Sequence, residues 1–93
     1  MAMQKYILTT NAGDQTLVSG AKGLLTEVIF VNPTENPVEV KLLKDDTHLY
    51  YYRNLAASST YIETFNTYLG DEVLNIQSNA EGVYITANII EDN

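Results

Sequence analysis

A nucleophilic mechanism in this 93-residue chain would have to run through its one histidine. His48 could serve Ser58 or Ser59 as a general base if a carboxylate oriented its ring, because a serine hydroxyl attacks poorly until a base takes its proton. Nothing in the spacing demands that arrangement, and a histidine opening a strand after a polar turn reads as an ordinary half-exposed residue. Asp45-Asp46 and Asp71-Glu72 could supply oxygen ligands to calcium, but adjacent acids in a turn lack the spaced ligand pattern of an EF-hand loop. A carboxylate pair for glycoside hydrolysis has no specific signal either, since 12 acids supply pairs by number alone. Gly20 and Gly23 in SGAKGLL do not make a phosphate-binding loop, because no helix follows whose N-terminus could face an anion. These residues point away from an enzyme and imply no cofactor and no metal.

Charge excludes another class. Five Lys and Arg against 12 Asp and Glu leave a net charge of −7, which repels a phosphate backbone. Nucleic-acid binding is not expected. The acids are spread along the chain, as on a solvated surface. No apolar run approaches the ~20 residues that span a bilayer, and MAMQKYILTT lacks the apolar core of a signal peptide. The expectation is no membrane contact and residence in the compartment of synthesis.

The length fits one domain, residues 1–93, near the lower end of what folds on a single core. With no cysteine and one histidine, neither disulfides nor structural zinc can supplement that core. Packing against other chains is what remains.

The seven tyrosines are the strongest remaining signal. In HLYYYRN, residues 48–54, strand alternation sends Tyr51 to one face and Tyr50 and Tyr52 to the other. Tyr61 and Tyr84 fit plain β propensity with phenol tips in water. Three consecutive phenols fit it poorly, since clustered aromatic surface invites association. Alternation leaves open which of the two faces packs on the core; leucine favours the Leu49–Tyr51 face, and Tyr50 and Tyr52 are then the residues expected at a contact with another chain. Rings stacking on sugar give an alternative, a carbohydrate-binding module.

The elements that position these residues are strands. Val38, Val40 and Leu42 alternate with Glu39, Lys41 and Leu43, and Val83, Ile85, Ala87 and Ile89 alternate with Tyr84, Thr86, Asn88 and Ile90. Eight strands are expected near 5–10, 15–19, 24–32, 38–44, 48–53, 59–65, 72–77 and 82–90, separated by Gly, Asn, Asp and Pro turn signals. The fold class is all-β, a single compact antiparallel β-sandwich or jelly-roll-like domain. Two hairpins are expected, 24–32 with 38–44 through the Pro33–Pro37 loop, and 38–44 with 48–53 through Asp45-Asp46. In Val28-Ile29-Phe30-Val31 both parities are apolar, the mark of a strand covered on both faces, whether by a loop, by the N-terminal segment or by a second subunit.

The order of segments LVSGAKGLLTEVIFVNPTENPVEVKLLKDD, NLAASSTYIE, YLGDEVLNIQS and VYITANIIE resembles small structural proteins of tailed bacteriophage particles. The resemblance is a layout of turns and apolar positions: Asn32, then Leu55-Ala56-Ala57-Ser58, then Leu69-Gly70-Asp71. It implies a compact β module carried in many copies on a virion, and it transfers no active-site residue. An acidic module suits the outside of a shell better than the genome-filled interior. What the resemblance implies most specifically is a capsid decoration protein, made in the bacterial cytoplasm, that cements the exterior of the shell. Its partners would be its own copies, as a trimer, and the major capsid protein. A neck, tail or fibre component is the alternative on the same scaffold. Tyr50, Tyr52, Phe30 and Tyr68 are the expected interface residues.

Overall fold

Alternation with period two builds eight strands: β1 (Ala2–Thr9), β2 (Gly13–Val18), β3 (Lys22–Asn32), β4 (Val38–Lys44), β5 (His48–Leu55), β6 (Ser59–Gly70), β7 (Leu74–Ser78) and β8 (Tyr84–Glu91). The computed structural model describes residues 2–45 and 48–92. Asp46, second residue of the expected turn and of the acidic pair, lies outside the described residues, as does Thr47. The strands form two four-stranded antiparallel sheets, β1-β8-β3-β6 and β2-β7-β4-β5. β1 pairs with β8, β2 with β7, β3 with β6 and β4 with β5. The chain is thus one long ribbon doubled back on itself and rolled so that successive pairs alternate between layers, which is jelly-roll topology.

Between the layers lies a core to which every strand contributes or packs. Leu25, Val28 and Phe30 of β3 and Ile85, Ala87 and Ile89 of β8 share it with Val38, Val40 and Leu42 of β4 and Leu74 and Ile76 of β7, all buried. Each larger side chain contributes about 1.5–3 kcal/mol by leaving water.

The hairpin expected between β3 and β4 does not form. β3 pairs with β6 and β8, and β4 with β5 and β7, so the Pro33–Pro37 loop carries the chain from one sheet to the other. The prolines do end both strands, as their missing N–H groups require. The crossover itself is held by Asn32, which is fully buried. Its Nδ2 donates to the carbonyls of Asn36 (2.9 Å), Leu55 (3.1 Å) and Ala56 (3.1 Å), and its Oδ1 accepts from Thr34 N (3.1 Å) and Oγ1 (2.7 Å). Ser58 N donates to Thr34 O at 3.1 Å. One carboxamide therefore ties the β3–β4 crossover to the β5–β6 crossover. The second expected hairpin, β4 with β5, is present.

β6 runs five residues beyond its expected end. The alternation of half-buried and exposed positions continues through Asn66 and Thr67 because β6 is an edge strand with one face on the core. At the far end of β3, Gly23 lies between Glu91 and Leu69 in the sheet, and a Cβ there would overlap the Ile90 carbonyl oxygen.

Candidate functional site: the outer face of the β1-β8-β3-β6 sheet

The residues weighed for catalysis do not converge. His48 opens β5 and Ser58 lies past its other end at Leu55, a strand that spans about 23 Å at about 3.3 Å per residue. Ser59 Oγ donates to Ala57 O at 3.1 Å. Asp45 Oδ1 accepts from Val73 N (3.0 Å), Asp71 pairs with Lys22 (3.5 Å), and Glu72 accepts from Gly70 N and lies 4.0 Å from Lys44. These carboxylates hold turns together.

The tyrosine run breaks its expected parity at a β-bulge. Leu42 pairs with Tyr51 but Leu43 with Leu49, leaving Tyr50 as the extra residue. Tyr50 and Tyr51 consequently both turn toward the core: Tyr50 stacks on Phe65 (5.5 Å) and is hydrogen-bonded to Thr67, while Tyr51 stacks on Phe30 (5.6 Å) and meets Phe65 edge-on (5.7 Å). With Arg53 4.5 Å above the Tyr61 ring, these aromatics close the gap between the β5 and β6 edges. Leu49, expected in the core, is instead 57% exposed. Of the expected interface residues, Phe30 is corrected: at 0% exposure it is a core residue with no surface to offer. Tyr50 is half-buried and occupied within its own chain, whereas Tyr52 and Tyr68 are exposed, on different sheets.

Register, more than the tyrosine run, defines the most distinctive surface. Residues directly opposite each other in an antiparallel pair project to the same side. On the outer side of the β1-β8-β3-β6 sheet this aligns Met3, Ile90, Leu24 and Tyr68 in one row, then Lys5, Asn88, Glu27 and Thr64, then Ile7, Thr86, Ile29 and Ile62, then Thr9, Tyr84, Val31 and Thr60. The first and third rows are largely apolar, and the fourth sets Tyr84 and Val31 between two threonines. Ile7 (72%), Ile62 (62%), Tyr68 (55%), Met3 and Tyr84 are five of the seven large apolar side chains exposed among the described residues. The N-terminal segment does not cover Ile29 and Val31, because β1 lies in the plane of the sheet beside β8, and both are half-buried in the single chain.

The face is also electrically balanced. Its four rows carry Lys5 and Glu27, and Lys22 and Asp92 flank the Tyr68 row, where the Tyr68 hydroxyl donates to Asp92; the face is thus neutral and the net charge of −7 lies elsewhere. Its polar row is knitted by Asn88 Nδ2 donating to Glu27 Oε1 at 2.9 Å. The outer side of the β2-β7-β4-β5 sheet differs: Asp14, Gln77, Lys41 and Tyr52 form one row, with Glu39 accepting from the Tyr52 hydroxyl at 3.0 Å. Apolar residues on the non-core parity, at Ile7, Ile29, Ile62 and Ile90, are the signal that could have disclosed the open face; only the Ile29 run was singled out.

Four phenols ionise above the ordinary tyrosine value of about 10. Tyr51 is raised chiefly by burial and then by the Glu63 charge, and Tyr6, Tyr52 and Tyr68 chiefly by hydrogen bonds to Glu91, Glu39 and Asp92. The folded state holds these protons more tightly than the unfolded state. Their contribution to stability is therefore complete below about pH 10 and lost as pH rises through the raised values. The urea midpoint should be insensitive to these groups up to about pH 9 and fall above pH 10. Tyr51→Phe should flatten part of that fall and, because the Tyr51 hydroxyl is buried without a hydrogen-bond partner, leave neutral-pH stability unchanged or up to about 1 kcal/mol higher. An unchanged alkaline limb in the variant would remove Tyr51 as its source.

No protein-family model matches the chain, and no curated protein matches it. Among solved structures, a protein of Bacillus endospore appendages, described as disulfide-linked pili, superposes with a TM-score of 0.59 at 13% identity, covering 98% of this chain and 88% of its own. The core of a Drosophila NLP, described in terms of pentamer formation and histone binding, superposes at 0.54 and 14% identity, covering 97% and 100%. The coat protein of Tobacco streak virus follows at 0.40 and 6% identity, covering 96% and 88%, a level that carries no functional argument. What the chain shares with the first two is the eight-stranded sandwich fold.

Proposed function

We propose that this chain is a non-enzymatic structural protein that acts by adhering to a larger assembly, and specifically a decoration protein on the exterior of a tailed-bacteriophage capsid. The observation that carries the reading is the open, charge-balanced apolar sheet face on an otherwise acidic molecule. Contiguous apolar surface of this kind on a small domain marks a protein contact. A module bound in many copies adds association energy to the assembled shell and none to free shell subunits, so it stabilises the particle by mass action. The acidic remainder of the surface suits a position away from packaged genome. The segment layout shared with phage structural proteins supplies the virion context, and Asn32, Leu55 and Ala56, which belong to that layout, meet in the crossover lock. The disulfide linkage named for the endospore appendage is not open to a chain with no cysteine.

Quantitative mass spectrometry of purified particles tests this. A copy number comparable to that of the major shell protein supports decoration. A handful of copies per particle would move the chain to a neck, tail or fibre, and absence from particles would overturn the reading. Carbohydrate binding has one favouring observation, the exposed Tyr52 ring flanked by Glu39, Lys41 and Gln77. Saturable glycan binding lost in Tyr52→Ala would support that reading over adhesion to a shell.

A further inference from the structure

The open face fits itself. We infer that its occupant is a second copy of this chain, packed sheet against sheet about a two-fold axis parallel to the strands; this rests on the reading of the face as a protein contact, names its partner, and leaves contacts with a shell to the other surfaces of the dimer. Such an axis, placed between β8 and β3, sets β1 over the partner's β6 and β8 over its β3. Row then falls on row. Ile7 meets the partner's Ile62, Thr86 the partner's Ile29, Met3 the partner's Tyr68 and Ile90 the partner's Leu24. In the polar row Lys5 meets the partner's Thr64, and Asn88 the partner's Glu27, so no like charges oppose each other. The alternative two-fold, along the rows and centred on the face, would set Lys5 on the partner's Ile7 and Glu27 on the partner's Ile29, and is disfavoured because it seals both charges against apolar side chains.

Sheets packed face to face cross at about 30°, so the match is tightest near the axis, at Thr86, Ile29, Asn88 and Glu27, and loosens toward the corners. Size is sufficient. Four strands about 4.8 Å apart and some eight residues long give a face of about 19 by 25 Å. Two of them sealed together remove about 1,000 Å² or more, the scale at which specific association becomes stable. Charge favours the same surface, since the net charge of −7 lies on the rest of the molecule. A flat face sealed by its own kind closes with two subunits. A three-fold ring would instead bury the sandwich edges.

The test is a charge swap read by sedimentation equilibrium across a range of concentrations. Ile7 and Ile62 are highly exposed in one chain, so substituting them spares the fold, which circular dichroism confirms for each variant. Wild type should be a dimer. Ile7→Lys alone and Ile62→Glu alone should each weaken dimerisation on the order of 100-fold, because the two-fold buries every unpaired charge twice. The double variant, Ile7→Lys with Ile62→Glu, should recover most of that loss through two Lys–Glu pairs across the axis. Tyr52→Ser, on the other sheet, should leave the dimer intact. A monomeric or trimeric wild type, single variants that dimerise normally, or a double variant no better than the singles would overturn the inference. A monomer that is nonetheless abundant on particles would sink the second copy and leave the decoration reading standing. A dimer absent from particles would do the reverse.

Discussion

Asn32→Asp is expected to unfold a large fraction of the protein at neutral pH although it changes one nitrogen to oxygen. The Asn32 side chain is fully buried and its Nδ2 serves three carbonyls from two separate loops. Aspartate has no N–H to donate, and its charge would face those carbonyl oxygens without water. Losing the bonds and burying an unpaired charge together cost about 3–5 kcal/mol. A domain of this size has only about 5–14 kcal/mol in total. The sign with pH follows: burial raises the new carboxyl above the usual Asp value of about 4, so the deficit is greatest at neutral pH and shrinks as pH falls and the group gains a proton it can donate. Asn32→Ala, which removes the bonds without adding charge, should cost less, about 2–3 kcal/mol, and show no such pH dependence. Urea titrations of both variants at pH 5 and pH 7 separate the two effects. Equal midpoints for wild type and Asn32→Asp at pH 7 would mean that the crossover is held by something else.

Gly23→Ala should be nearly as damaging, for a steric reason. Gly23 sits inside β3 with β8 on one side and β6 on the other, and a methyl group there would overlap the Ile90 carbonyl oxygen and the Glu91 backbone. Backbone in a paired central strand cannot step aside without breaking ladder hydrogen bonds. Overpacking of this kind costs about 2–3 kcal/mol. At about 4–8 °C per kcal/mol, calorimetry should show Tm lowered by roughly 10–20 °C. The same change at Gly70, where a Cβ would meet only the ends of the Glu72 and Tyr68 side chains, should have much less effect. Equal effects at the two positions would contradict the close-approach explanation.

How much could be read from the sequence follows from which forces are local. All eight strands were legible because a half-buried strand writes its period directly into residue order, and Pro33 and Pro37 marked real strand ends. Of their partners only the β4–β5 hairpin was, since β3 sits beside β6 and β8 through contacts far apart in the chain. Five residues between apolar runs look alike whether they turn a hairpin or cross between sheets; the difference lies in Asn32 reaching the carbonyls of Leu55 and Ala56. Bulges hid the parity of the tyrosines. One extra residue at Tyr50 brings two consecutive rings inward and puts Leu49 outside, reversing the inference drawn from leucine. The Val28–Val31 anomaly pointed to the right strand, but its outer residues Ile29 and Val31 mattered rather than Phe30, and only the register assembles them with Ile7, Ile62, Tyr68 and Tyr84 into one surface.

That surface can be interrogated where it acts. Hydroxyl-radical footprinting, comparing the dilute free protein with the protein on purified particles, reads the solvent access of individual Met and Tyr side chains. Met3, Tyr68 and Tyr84 stand exposed on the open face of the single chain, and Tyr51 is packed against Phe30. Strong protection of Met3, Tyr68 and Tyr84 on the particle, with Tyr51 slow in both states, is the predicted result. Oxidation of those three residues on the particle as fast as in protein diluted to the monomer would show that the face stays wet, and that the molecule does its work through some other surface.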